Sequence, residues 1–268
     1  MSDKVFNQHV ATEGISPDSV SSVAEQALIF LASRNSHALA PLNEFFLAQL
    51  HDASIGIIPK TCLEVAEDMM GNGVRPEDIA DRYVPAAARK LGEEWSDDDL
   101  SFSTVSMGTS RLQALLRKLG PDWSADTAPN PLVADSAALV IVTAESHHTL
   151  GSMVLAGQLR RAGLSVRLSV GAKTDSIVSM IQNGEFEAVM ISASIVESIG
   201  DVKEVVSAIR STVVPAPPIV IGGTILDQIS DIQTLTGADL TTNDVREALD
   251  FCNLMAKASR LATFLVSE

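Results

Sequence analysis

Cysteine, tyrosine and tryptophan are scarce in this chain, with two, one and two copies among 268 residues. Cys62 and Cys252 stand far apart in apolar, helix-like stretches. Their number and spacing build neither a disulfide framework nor a zinc site, and both read as buried thiols. Positive charge is short as well: 19 Lys and Arg face 34 Asp and Glu, a net charge of −15 shared between the two halves of the chain. A nucleic-acid backbone is held largely by Lys and Arg that displace counterions, so this composition weighs against direct DNA binding. Any action on genes would pass through a partner.

No run of about 18 apolar residues occurs, and no strand-like stretch is followed by G-x-G-x-x-G or a Walker pattern. Membrane spans and nucleotide hydrolysis are therefore not expected. The opening MSDKVFNQHVATEG has neither a charged n-region nor an apolar h-region, and the expectation is a cytoplasmic protein. Only five histidines are present. Three of them, His9, His37 and His51, fall in the tail or helical part and read as surface residues. No catalytic triad is visible, and the chain reads as a non-enzyme.

What is present is a change of period along the chain. Residues 1–20 are polar and aperiodic and read as a flexible tail. From 21 to 120 apolar residues recur at three and four, over SSVAEQALIFLASR, LNEFFLAQLHD, KTCLEVAEDMMGNG, a segment starting at Pro76, and LSFSTVSMGTSRLQALLRKLG. Pro41, Pro59, Gly71, Gly73, Gly120 and Pro121 suit helix boundaries. This part is a helical bundle. Residues 121–135, with three prolines, read as a linker. From 136 to 268 buried-strand runs alternate with helical ones: ALVIVT, SVRLSV, EAVMIS, PPIVIG and a weak strand at ADLTT. The fold class is α + α/β, an N-terminal helical bundle followed by a flavodoxin-like, doubly wound parallel sheet whose ligands sit at the carboxyl ends of the strands.

On that frame His147 and His148 follow the first strand, Ser192 and Ser194 end the third, and Gly222 and Gly223 end the fourth. All fall on one edge of the sheet. A neutral imidazole at a strand end is a good ligand for cobalt or iron. Gly151, Gly222 and Gly223 would let a ligand pass close to the backbone, or would simply make tight turns. Ser192 has a hydroxyl to offer a ring nitrogen.

His148-Thr149-Leu150-Gly151, Ser192, Gly222-Gly223 and Gly237-Ala238-Asp239 together resemble the cobalamin-binding domain over about 125 residues. The resemblance implies His148 as the lower cobalt ligand, with the cofactor's own base detached and its nucleotide tail in the sheet edge near Thr149, Gly151, Ser192, Ser194, Gly222 and Gly223. The family pattern is Asp-x-His-x-x-Gly, and Ser146 stands here at the aspartate position, after Glu145 and two before His148. A hydroxyl orients an imidazole less firmly than a carboxylate, and His147 stays open as the ligand. The bundle resembles the cap over the upper corrin face in methionine synthase and in CarH-type light sensors. Trp95 matches, yet Val105 and Ser106 replace the Glu-His pair that follows in CarH-type caps. Trp95 reads as core by composition, or with Phe102 and Met107 as a lining for the upper corrin face.

Over nearly its whole length, through WSDDDLSFSTVSMGTSRLQ and HHTLG, the chain resembles the AerR/PpaA antirepressor family. That resemblance implies cobalamin, a light- or redox-linked signal, and a partner repressor of the CrtJ/PpsR type that controls photosystem genes. A corrinoid protein of a methyltransferase system and a haem-binding sensor are the alternatives on the same fold.

Overall fold

Three helices begin where a side chain replaces missing backbone hydrogen bonds. The computed structural model describes residues 41–123, 136–143, 149–194 and 199–254. The tail, the helix expected over 21–34, most of the linker, and Ser146, His147 and His148 lie outside the described residues. The described residues from Glu44 onward belong to one compact unit.

Helix α1 spans Glu44–Ile55 and α2 spans Cys62–Gly71, the latter opened by a capping box in which Thr61 and Glu64 satisfy each other's backbone. Helix α3 runs in three pieces: Pro76–Asp78, a π-helical turn Ile79–Tyr83, and Val84–Ser96. The interruption has a local cause. Pro85 has no N–H to give back to the preceding turn and its ring crowds the carbonyl four residues earlier. The wider π turn, with the Val84 N–H donating to the Ile79 carbonyl, accommodates it. Helix α4 spans Phe102–Leu119, capped by the Ser101 hydroxyl and stopped at Gly120.

Leu50, Val65, Met69, Ile79, Leu91, Leu112 and Leu116 are fully buried between these helices. The approach is close: a Cβ on Gly108 would come within 2.9 Å of Leu91 Cδ1. His51 is also inside, at 3% exposure, which corrects its reading as a surface residue. Its Nε2 lies 2.8 Å from Glu94 Oε2, which joins α1 to α3, and its Nδ1 lies 3.0 Å from Oδ1 of the neighbouring Asp52.

Five parallel strands follow: β1 (Ala137–Val142), β2 (Ser165–Val170), β3 (Ala188–Ser192), β4 (Ile219–Gly222) and β5 (Leu240–Thr241), in the order β2-β1-β3-β4-β5. This is a flavodoxin-like order, in keeping with the fold class expected from the alternation of runs. The crossovers are α5 (Leu150–Arg161), α6 (Thr174–Asn183), α7 (Ile199–Thr212) and two short helices, α8 (Ile225–Gln228) and α9 (Ile232–Thr236), the second of which the sequence reading missed. Helix α10 (Val245–Phe251) closes the described chain, capped by Asp244. One sheet face packs Leu139, Ile141, Ile191 and Ile221 on α6 and α7. The other packs Val140, Met190 and Val220 on α5 and α10.

The two halves meet through Trp123. The expected linker starts with a 3₁₀ turn, Pro121–Trp123, whose indole is 3% exposed. The ring lies against Gly157 of α5, where a Cβ would stand 2.3 Å from Trp123 Cδ1. The Arg161 guanidinium stacks 4.6 Å from the indole centroid and forms an ion pair with Asp81 of the π turn. Arg160 donates to the Asp122 carbonyl at 2.6 Å and to the Val166 carbonyl at 3.1 Å. Gln113 of α4 donates to the Thr149 hydroxyl at 2.9 Å. Among the described residues no helix is long and apolar enough to cross a membrane.

Two expectations follow from this packing. Trp123→Ala lowers the unfolding free energy by about 3–5 kcal/mol and Gly157→Ala by about 1–3 kcal/mol, in denaturant titrations that show a single shared transition. An early, separate transition of the helical half in wild-type protein would contradict this coupling. Burial raises the pKa of the Cys62 thiol and takes that of Cys252 to about 11. At pH 8 neither reacts with a thiol reagent in the folded protein, whereas both titrate in guanidinium; rapid labelling of the native protein would overturn the burial.

Candidate functional site

The sheet register assembles the site. Ser192 and Gly222 are Cα partners at the ends of β3 and β4. Both share the pleat parity of Met190 and Val220, so they face α5 and α10. Gly151 opens α5 on the same side. These residues, with Gly223, line one cavity of about 260 Å³, a little under the roughly 300 Å³ at which small-molecule sites begin. Val154, Leu155, Met190, Val220, Val245 and Ala248 make its apolar walls. Polar residues line it too: Thr242, Asn243 and Asp244 after β5, Gln158 of α5, and Asp81 of the helical bundle.

The three glycines serve different ends. Gly223 has φ +107°, and a Cβ there would come within 2.1 Å of the Ala193 carbonyl oxygen. A Cβ on Gly222 would meet the Thr242 carbonyl at 2.7 Å. Both are required by chain-to-chain packing, and the Gly223 N–H is held by Asn243 Oδ1 at 2.6 Å. A Cβ on Gly151 would meet nothing within 4 Å, so its bareness leaves open space at the cavity wall. The Ser192 hydroxyl makes no hydrogen bond among the described residues. Ser194 does not line the cavity; its carbonyl accepts the Thr224 hydroxyl at 3.0 Å.

Thr149 occupies the N-cap position of α5, yet its side chain caps nothing and takes the Gln113 amide instead. Its carbonyl accepts the Met153 N–H at 3.0 Å and the Ser152 hydroxyl at 2.7 Å. The Gly237-Ala238-Asp239 stretch lies away from this cavity. Asp239 accepts the Ile219 N–H at 2.7 Å and pairs with Arg210, which anchors the start of β4.

Trp95, Phe102 and Met107 are 46%, 70% and 53% exposed, so the core reading of Trp95 is corrected. Trp95 and Phe102 lie against each other with centroids 6.1 Å apart. Met107, five residues on, is roughly 140° round the helix from Phe102 and does not share its face. Among the described residues no group of three His, Cys, Asp or Glu side chains is placed to hold a metal.

An apolar slot lined in part by hydrogen-bonding residues, with an unpaired serine hydroxyl, suits the flat base and sugar of a nucleotide, and it is too small for a corrin macrocycle. The residues present therefore fit the base and sugar of a cobalamin tail. Gly223→Ala lowers folding stability by about 2–4 kcal/mol, since it combines left-handed strain with a backbone clash. Gly151→Ala leaves stability unchanged or raises it by up to about 1 kcal/mol. Thermal unfolding of the two variants checks the contrast, and equal effects would contradict it.

Residues 136–249 match the family model of the B12 binding domain. An uncharacterized 20.5 kDa protein from the bchF-crtJ intergenic region of Rhodobacter capsulatus is 32% identical over 169 residues, which cover 63% of this chain and 87% of that protein. The Methanosarcina barkeri monomethylamine corrinoid protein superposes with a TM-score of 0.62 at 17% identity, covering 80% of this chain and 100% of its own, a likeness of fold. Neither the family model nor these two relatives gives support to haem. The chain belongs to the AerR/PpaA-like family of proteins that carry a B12 binding domain.

Proposed function

We propose that this protein is a cobalamin-binding regulator that relieves a DNA-binding repressor of the CrtJ/PpsR type and so controls photosystem genes in response to light or redox state. The observation that carries the cofactor half of this reading is the convergence of Gly151, Ser192, Gly222 and Gly223 on one apolar cavity. Support for the regulatory half comes from the chain's acidity, which leaves DNA contact to a partner, and from the place of its relative between bchF and crtJ.

In this reading the Ser192 hydroxyl would donate to the tail's base, His148 or its neighbour His147 would ligate cobalt, and Trp95 with Phe102 would shield the corrin. A bound corrin would supply the light- or redox-sensitive chemistry. A bundle that fits one ligand state better than another changes the surface offered to the repressor, and that difference in affinity is all a switch requires. Ser146 in place of the family's carboxylate weighs against methyl carriage, since the hydroxyl gives weaker control of the imidazole.

The test is the visible spectrum after mixing with hydroxocobalamin and, separately, haem, followed by desalting. Corrin bands are retained by wild-type protein and lost in His148→Ala, while His147→Ala weakens retention less. Corrin-loaded protein then releases the repressor from its DNA in a light- or reductant-dependent way. A colourless protein, or a retained Soret band alone, would remove the cofactor assignment. Methyl transfer to an acceptor thiol with no effect on the repressor would favour the methyl carrier instead.

A further inference from the structure

The parallel sheet runs out beside the cavity, and one side chain carries it a step further. The last backbone hydrogen bond between β4 and β5 runs from the Thr242 N–H to the Ile221 carbonyl at 3.0 Å. Beyond it, among the described residues, both hydrogen bonds that join the two segments are made by the Asn243 amide. Its Oδ1 accepts the Gly223 N–H at 2.6 Å, and its Nδ2 donates to the Gly223 carbonyl at a longer 3.4 Å. A carboxamide sets an acceptor beside a donor, as a peptide unit does, so Asn243 meets both polar groups of one residue as a neighbouring strand would. The short bond to Oδ1 is the stronger half of this clamp.

The other polar residues after β5 are engaged elsewhere. Thr242 hydrogen-bonds through its hydroxyl with Glu247 and with the Asp244 N–H, and the Asp244 carboxylate accepts the Arg246 and Glu247 N–H groups. Asn243 alone of the three reaches back to β4 with its side chain. Asn243, Gly222 and Gly223 all line the cavity, and a Cβ on Gly222 would stand 2.7 Å from the Thr242 carbonyl and 3.2 Å from Asn243 Oδ1. The β4 end is tied in turn to β3, since the Ala193 N–H donates to the Gly222 carbonyl at 2.9 Å and Ser192 is the register partner of Gly222. What holds Gly223 therefore also holds the wall that carries Ser192.

Resting on the cobalamin reading above, we infer that Asn243 is a positioning residue for the nucleotide tail: by clamping Gly223 to the chain after β5 it sets the width of the slot before the cofactor arrives. The need for a clamp is local. Strand β5 has two residues, and Gly223, at φ +107°, has more backbone conformations open to it than any residue with a side chain. A slot held ready spares the tail the cost of ordering its walls on binding. Corrinoids with a nucleotide tail gain from this, and corrinoids without one do not.

The experiment compares two corrinoids on the full-length protein: hydroxocobalamin, which has the tail, and aquocobinamide, which lacks it. Dissociation constants are measured by absorbance titration for wild type, Asn243→Ala and Asn243→Asp, with thermal unfolding to confirm that the variants fold; Asn243 is exposed, so neither change disturbs the core. Asn243→Ala is expected to lower cobalamin affinity roughly fivefold or more and cobinamide affinity less than about twofold. Asn243→Asp keeps an acceptor for the Gly223 N–H at the same reach, and in about 0.15 M salt, which screens its added charge, it retains cobalamin affinity within about threefold of wild type.

A parallel loss for both corrinoids in Asn243→Ala, or no loss for either, would overturn the inference, because a purely structural clamp does not distinguish a tail from its absence. An aspartate variant as weak as the alanine one would overturn it too, since the acceptor would then not be the cause. If wild-type protein binds neither corrinoid, or binds both alike, the reading of the slot as a cobalamin-tail site fails. If wild type prefers cobalamin and Asn243→Ala leaves the ratio unmoved, only the role of Asn243 fails.

Discussion

The contact between Trp123 and Gly157 is the constraint on which the rest of the described structure depends. A glycine on α5 leaves a recess one indole deep, and the 3₁₀ turn after α4 places Trp123 in it. Arg161 then covers the indole and reaches Asp81, while Arg160 ties the turn to β2. A helical bundle and a parallel sheet joined only by a linker would be free to separate, since interdomain surfaces are ordinarily modest and polar. Here an aromatic ring of large apolar area is buried at the joint, and a cation caps it.

That joint also decides what kind of cavity exists. The sheet by itself offers an open edge beside β3 and β4. Docked against it, the bundle adds Asp81 and Pro85 and turns the edge into a slot. The strain that makes this possible is local and cheap: a proline inside a helix is absorbed by one π turn.

Two glycines beside the slot look alike in sequence and differ in physics. Gly223 is required by the Ala193 carbonyl and by a positive φ, whatever binds nearby. A Cβ on Gly151 would meet nothing within 4 Å among the described residues, so packing there does not call for a glycine. A sequence motif that counts both as ligand-contacting residues merges a packing demand with a binding one. Asp239 makes the same point more strongly, because a residue of the resembling motif serves the opposite end of the sheet.

By itself the sequence determined the fold class and pointed to the sheet edge that carries the candidate cavity. Continuous apolar runs alternating with helical period leave few topologies for a parallel sheet, and strand ends are visible as the first polar or glycine residue after each run. It also marked Ser192, Gly222 and Gly151, which the register brings to one cavity. Tertiary structure alone decided the rest. The burial of His51 depends on Glu94, forty-three residues away, and local polarity carries no trace of that partner. The exposure of Trp95 depends on the turn that pairs it with Phe102 beyond the bundle core. The membership of Asp81 in the slot depends on Trp123 finding Gly157. Such contacts join residues distant in the chain, whereas period and composition report only neighbours.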